Sequence, residues 1–238
     1  MTKTLVLPLL VVLACASNSG KPSPEQMEQT SETNEPLLHD QTIGRDLPRK
    51  PSADKRYLFF LHGGIVEKKG IRPRDERFGV YEFEAILRAL EQRGFQVISE
   101  ARANETDSKA YAAKVVQQIR TLLSAGVPAR KITVAGASKG SVIAMIASTE
   151  LRNREVNFVV MANCNDWLAR THPIDLHGHV LSIYDVNDHI GKSCQPFFDK
   201  ATGLGRSNEI QLRVGTGHAI LYQPLKEWVE EIDRWAPR

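Results

Sequence analysis

The sequence predicts an α/β fold, a mainly parallel sheet with helices on both faces. From Arg56 onward, short apolar runs alternate with amphipathic helical patterns, the signature of repeated strand–helix units. One helical pattern in the middle is apolar nearly all round, so it is expected to be buried rather than laid on the surface. No insert after "NFVVMANC" is long enough to form a large cap domain.

Each element has its own signal. "YLFFLHGG" is an apolar run ended by glycines, as a buried parallel strand would be. "VYEFEAILRALEQRG" places Phe83, Ile86, Leu87 and Leu90 on one helical face, with Gly94 as the stop. "FQVISEA" is the next strand. "DSKAYAAKVVQQIRTLLSAG" then aligns Tyr111, Val115, Ile119 and Leu122, with Thr106 or Asp107 to cap its start and Gly126 its end. "KITVAGAS" is a strand, "KGSVIAMIASTEL" the buried helix, and "NFVVMANC", "HVLSIYD" and "EIQLRVG" are further strands. The chain closes on "QPLKEWVEEIDRWA", a helix with Pro224 early and Leu225, Trp228, Val229 and Ile232 facing inward.

The 238 residues, 42% hydrophobic and 25% charged, suit one globular domain with a substantial core. A net charge of +3 with interspersed acids and bases gives no nucleic-acid footprint. The chain opens on "MTKTLVLPLLVVLACASNSG", whose apolar stretch from Leu5 to Ala14 is too short to span a bilayer and reads as a secretion signal. "VLAC" resembles a bacterial lipobox, which would make Cys15 an acylated N-terminus. "ACA" also fits ordinary cleavage after Ala16. The expected organisation is a signal over residues 1–15, a disordered tether over 16–52 and a folded domain over 53–238. The protein is then exported, anchored to a membrane by an N-terminal lipid, and faces the periplasm or cell surface. His39 lies in the tether and has no assigned role.

The chemistry centres on "GASKG", residues 136–140, between a strand and the buried helix. There Ser138 stands where a nucleophile elbow would, at the carboxyl end of a strand in an open parallel sheet. A serine hydroxyl needs a base, and the base a carboxylate. "YDVND" follows one later strand and "GTGHA" follows the last. With "LHGG" after the first strand, these motifs resemble those of a small α/β-hydrolase, a serine-hydrolase superfamily, from about Arg56 to the end of the chain. The resemblance implies a minimal fold without a large cap and a Ser138–His218–Asp188 triad. Asp185 and Asp166 stay open as alternatives for the acid. It also implies an oxyanion hole from the amides of Lys139 and Gly64. His62 is expected to brace its loop, with substrate contact as the alternative.

Lys139 is an unusual residue after such a serine. An "SKG" elbow resembles that of some acyl-CoA thioesterases, amino-acid N-acyltransferases and secreted peptidases. Its stem is expected to cover the helix while its ammonium pairs with an acid; a cation attracting an anionic substrate is the alternative. The loop "IVEKKGIRPRDERFG" carries Lys68, Lys69, Arg72, Arg74 and Arg77 near the same sheet edge, for substrate contact or for solvation. "GASKGS" does not match a P-loop, "TGLGRSN" lacks the third glycine of a dinucleotide fingerprint, and His172, His177 and His179 lack zinc-ligand spacing. No cofactor or metal is expected. Cys164 and Cys194 would sit at the same end of adjacent strands, so an exported chain would bridge them; buried free thiols are the alternative. The expected function is a serine hydrolase acting on a small acyl substrate, a carboxylic ester or thioester. An acyltransferase or a non-catalytic binding protein on the same fold is the alternative.

Overall fold

A computed structural model of the protein describes residues 44–237. The expected signal, Cys15 and most of the expected tether, with His39, lie outside the described residues. Residues 44–52, expected as the end of the tether, belong instead to the folded domain. There β1 (Gly44–Arg45) pairs antiparallel with the strand at Phe95–Glu100, and Leu47 packs against the core. The polar composition hid this. A sheet edge offers unpaired backbone groups that even a two-residue strand can satisfy, and the Arg45–Glu91 ion pair and Leu47 hold it there.

The remaining elements follow in order. β2 (Arg56–Leu61) leads into α1 (Gly64–Lys69), a small hairpin of β3 (Arg74–Asp75) and β4 (Gly79–Val80), then α2 (Phe83–Gln92). β5 (Phe95–Glu100), α3 (Ser108–Ser124), β6 (Ile132–Ala137), α4 (Lys139–Leu151) and β7 (Asn157–Met161) form the middle. α5 (Asp166–Thr171), β8 (His177–Asp185), α6 (Gln195–Phe198), β9 (Gly203–Leu212) and α7 (Lys226–Trp235) complete the domain. The "IVEKKGIRPRDERFG" stretch is thus partly structured, not one long loop. β9 begins earlier than its apolar end suggested, and "TGLGRSN" lies within it and directly before it. Pro224 precedes α7 and is not inside it.

The main sheet has the order β1-β5-β2-β6-β7-β8-β9, and every pair except β1·β5 is parallel. Successive strand residues face opposite sides. Tyr57, Phe59 and Leu61 of β2 pack with α3 and α4, while Leu58 and Phe60 pack with α2 and α7. α4 is buried along most of its length, as its sequence predicts. The Asp107 side chain caps α3 by accepting from the Ala110 amide at 2.7 Å. After β2 the chain moves outward to β5, and after β6 it moves the other way to β7. The order therefore reverses between β2 and β6, and the loops leaving those strands part to open a crevice at their carboxyl ends.

Candidate active site

The crevice is built by backbone packing at the two diverging loops. A Cβ added to Gly140 would fall on the Leu61 carbonyl, and one on Gly136 would fall on the backbone of Gly140. Both glycines therefore allow α4 to start directly against the ends of β2 and β6. Between them Ser138 takes φ +51°, which L-residues adopt only under constraint. Its amide donates to the Met161 carbonyl at 3.0 Å, and its carbonyl accepts from the Ser141 amide at 2.8 Å. The strain projects the Ser138 hydroxyl into the crevice mouth, as a strand-to-helix elbow requires.

His218 lies in a short 3₁₀ turn, Gly217–Leu221, after β9. Its Nε2 is 3.0 Å from Ser138 Oγ and its Nδ1 2.9 Å from Asp188 Oδ2. These partners fix the tautomer: Nδ1–H donates to the carboxylate, and Nε2 accepts from the serine hydroxyl. Asp188 has a fully buried side chain and also accepts from the Ile190 amide at 2.8 Å. Burial works against its charge, but the hydrogen bond and charge of His218, with the amides of Ile190 and Gly191, outweigh it. The carboxyl is held below its ordinary range.

The other two aspartates lie elsewhere. Asp166 is the exposed first residue of α5. Asp185 is fully buried and accepts from four backbone amides: Asn187 at 2.9 Å, Val214 at 2.8 Å, and Gly215 and Gly217 at 3.2 Å. It braces the loops that carry Asp188 and His218. The sequence offers it as an alternative acid or else a loop residue, since two aspartates three residues apart in one loop look alike until their partners are known; its four amide partners make it the loop residue.

Gly64 and Lys139 are the first residues of α1 and α4, so neither amide has a carbonyl four residues earlier within its helix. The two segments touch: a Cβ on Gly64 would lie 3.7 Å from Lys139 Cβ, and one on Gly63 3.7 Å from Ser138 Cβ. His62 is fully buried and braces this loop. Its Nδ1–H donates to the Gly63 carbonyl at 2.8 Å, and its Nε2 accepts from the Arg102 amide at 2.9 Å. Burial, with the charges of Arg102 and Lys139, pushes its pKa down to about 3 despite the opposing backbone groups of Gly63 and Glu100. It is therefore neutral. Lys139 Nζ pairs with the buried Glu67 carboxylate and donates to the Thr106 carbonyl at 2.7 Å.

Two hollows flank His218. One of about 550 Å³ is lined by Ser138, Lys139, Gly63, Gly64, Tyr81 and Tyr222; the other, of about 510 Å³, by Arg77, Phe78, Asn187 and Ile190. Of the basic loop, Lys68 and Lys69 border the first hollow and Arg77 the second, while Arg72 faces Glu82 at 3.7 Å. The histidines noted in the sequence are apart from the crevice. His177 donates to the Asp175 carbonyl at 2.9 Å, and His172 lies edge-on to Trp167. Among the described residues, no group of His, Cys, Asp and Glu is placed to hold a metal ion.

A disulfide joins Cys164 and Cys194, with Cα atoms 5.1 Å apart. The Lys192 amide donates to the Cys164 carbonyl at 2.8 Å, and Asn165 Nδ2 to the Ile190 carbonyl at 3.1 Å. The loop bearing Asp188 is thereby fastened to the end of β7.

The strand order, the positive-φ serine at the end of β6 and the late histidine after β9 decide the fold. It is that of the α/β-hydrolases. The solved phospholipase/carboxylesterase of Dyadobacter fermentans superposes with a TM-score of 0.50 at 13% identity, covering 82% of this chain and 94% of that one. A lipase-esterase related protein of Clostridium acetobutylicum gives 0.49 at 14% identity, covering 78% and 96%. SOBER1 of Arabidopsis thaliana gives 0.49 at 10% identity, covering 76% and 97%. No protein-family model matches the chain, and neither does any curated protein. The described residues form a minimal version of this fold, with no large cap domain among them.

Two features of the site went unread in the sequence. Glu67 and Arg102 form a buried ion pair at 2.7 Å beneath the glycine loop. Their separation of 35 positions leaves no local pattern to find. Tyr81, buried against the same loop, sits in a stretch whose helical period begins only at Phe83.

Proposed function

We propose that the protein is a serine hydrolase that cleaves a carboxylic ester or thioester through an acyl-enzyme. The observation that carries this reading is the unbroken hydrogen-bonded line from Ser138 Oγ through His218 to the buried Asp188 carboxylate. Ser138 Oγ attacks the acyl carbon as its proton passes to His218 Nε2. Asp188 stabilises the imidazolium from the Nδ1 side. The carbonyl oxygen becomes an oxyanion facing the Gly64 and Lys139 amides. Collapse of this adduct breaks the bond to the leaving alcohol or thiol, which takes the proton from His218. Water, deprotonated by the same imidazole, then releases the acid and restores Ser138.

A fluorophosphonate probe tests this directly. The protein is expected to label at Ser138, Ser138→Ala to abolish labelling, and His218→Ala nearly to do so. Undiminished labelling of Ser138→Ala overturns the assignment.

We also propose export and tethering to a membrane through a lipid on Cys15. The Cys164–Cys194 disulfide supports an oxidising destination. Mass spectrometry of the mature N-terminus decides it, since an unlipidated chain beginning at Ser17 means plain secretion.

A further inference from the structure

We infer that Glu67 is a positioning residue for the oxyanion hole, tying α1 to α4 through Lys139 and thereby setting the distance between the Gly64 and Lys139 amides. The inference rests on the serine-hydrolase reading above. It begins from a geometric demand: two amides stabilise an oxyanion only when both lie within hydrogen-bond distance of one oxygen. Here they belong to different helices.

One of those helices is fixed by its backbone. Gly140 brings α4 against the end of β2 so closely that no Cβ fits between them. The other is not. α1 has six residues, too few to hold its own shape in water, so its setting depends on what its side chains reach. Of these, Val66 and Glu67 are buried. Val66 supplies non-directional apolar contact. Glu67 supplies direction.

The two carboxylate oxygens of Glu67 point to different partners. Oε1 accepts from Arg102 Nε at 2.7 Å, and Oε2 from Lys139 Nζ. The Glu67 and Arg102 side chains are 3% and 0% exposed. In that setting a mispaired charge is costly, so the geometry is tightly held. Arg102 also donates to the His62 carbonyl, and its amide to His62 Nε2 at 2.9 Å, so the same network grips the strand end that leads into the glycines. Lys139 is the residue whose own amide faces the oxyanion, and its side chain returns to α1. The bridge therefore links the two donors directly, while the Thr106 carbonyl, accepting from Lys139 Nζ at 2.7 Å, and Arg102 hold its two ends. Two cations against one anion leave a net positive charge behind the hole, the sign that favours an oxyanion.

The test uses the full chain, p-nitrophenyl butyrate as substrate, fluorophosphonate titration of active sites, and an aryl trifluoromethyl ketone as a mimic of the tetrahedral adduct. If Ser138→Ala hydrolyses the ester as fast as the unaltered protein, the hydrolase reading falls and takes this inference with it. With that control inactive, Glu67→Gln and Lys139→Met are each expected to lower kcat per titrated site by about 10²-fold, the scale set by small misplacements of catalytic groups. KM should stay within about twofold, because ground-state binding is not what the bridge sets. Affinity for the ketone should fall in step with kcat/KM, and Lys139→Arg should restore most of both. A partly unfolded protein would lose titratable sites but keep its ketone affinity. Should Glu67→Gln fail to fold, Lys139→Met still breaks the bridge while keeping the Glu67–Arg102 pair. Unchanged kcat and ketone affinity in Lys139→Met, or no recovery in Lys139→Arg, overturns the proposal.

Discussion

The carboxylate of Asp185 accepts a hydrogen bond at 3.2 Å from the amide of Gly217, the residue directly before His218. One buried carboxylate thus secures the loop of the histidine, while Asp188, three positions later, meets the imidazole itself. The two residues should therefore fail differently. Asp188→Asn is expected to lower turnover by roughly 10⁴, as when the orienting carboxylate of a triad is neutralised. Its thermal midpoint should shift little. Asp185→Asn keeps one acceptor oxygen for four amides, and each buried amide left without a partner costs roughly 1–3 kcal/mol. Its main effect should be a lowered unfolding midpoint, with a smaller loss of turnover. Activity measured beside thermal melts separates the two, and a reversed order would give Asp185 the catalytic assignment.

The site was legible in the sequence where it depends on local pattern. A strand, a small-residue turn and an apolar helix around Ser138 predict the elbow, because only small residues let a helix begin so close to strand ends. Gly136 and Gly140 meet that demand. What escaped notice depends on distant partners or on short elements. Asp185 and Asp188 could be ranked only by resemblance, since their hydrogen bonds reach 30 residues downstream. The six residues of α1 are too few to display a helical period. Composition weighs a segment as a whole and so extends the expected tether to residue 52, whereas Leu47 and a two-residue strand suffice to fasten residues 44–52 to the domain.

The disulfide should stabilise the domain and the site together. Cys164 and Cys194 are 30 positions apart, and closing a loop of that size contributes about 3–4 kcal/mol in the chain-entropy model. Reduction, or the paired change of both cysteines to Ala, is expected to lower stability by up to that amount. Turnover should fall only modestly while the protein remains folded, because Asp185 and the Cys164–Lys192 backbone bond still hold the Asp188 loop. Urea unfolding with and without reductant provides the measurement. An unchanged midpoint would mean that packing alone fixes the loop.

His62 gives the domain a pH dependence whose sign is set by its burial. In the unfolded chain a histidine titrates near pH 6.5. In the fold, burial first and the Arg102 and Lys139 charges next push it down to about 3. Between those values the unfolded chain binds a proton that the native protein does not, so stability rises with pH across that window. The stabilisation is complete above about pH 6.5 and is lost as the pH falls toward 3, with a slope approaching about 1.4 kcal/mol per pH unit from this residue alone. His62→Gln offers an acceptor for the Arg102 amide but cannot titrate. It should be less stable than the parent at pH 7, where the ring packs edge-on against Phe83, and flatter as the pH drops from 6.5 to 4. Urea midpoints at closely spaced pH values give both curves. Carboxylates titrate alike in the two proteins, so the difference between the curves isolates His62. Parallel curves would mean that the histidine is not held neutral in the fold.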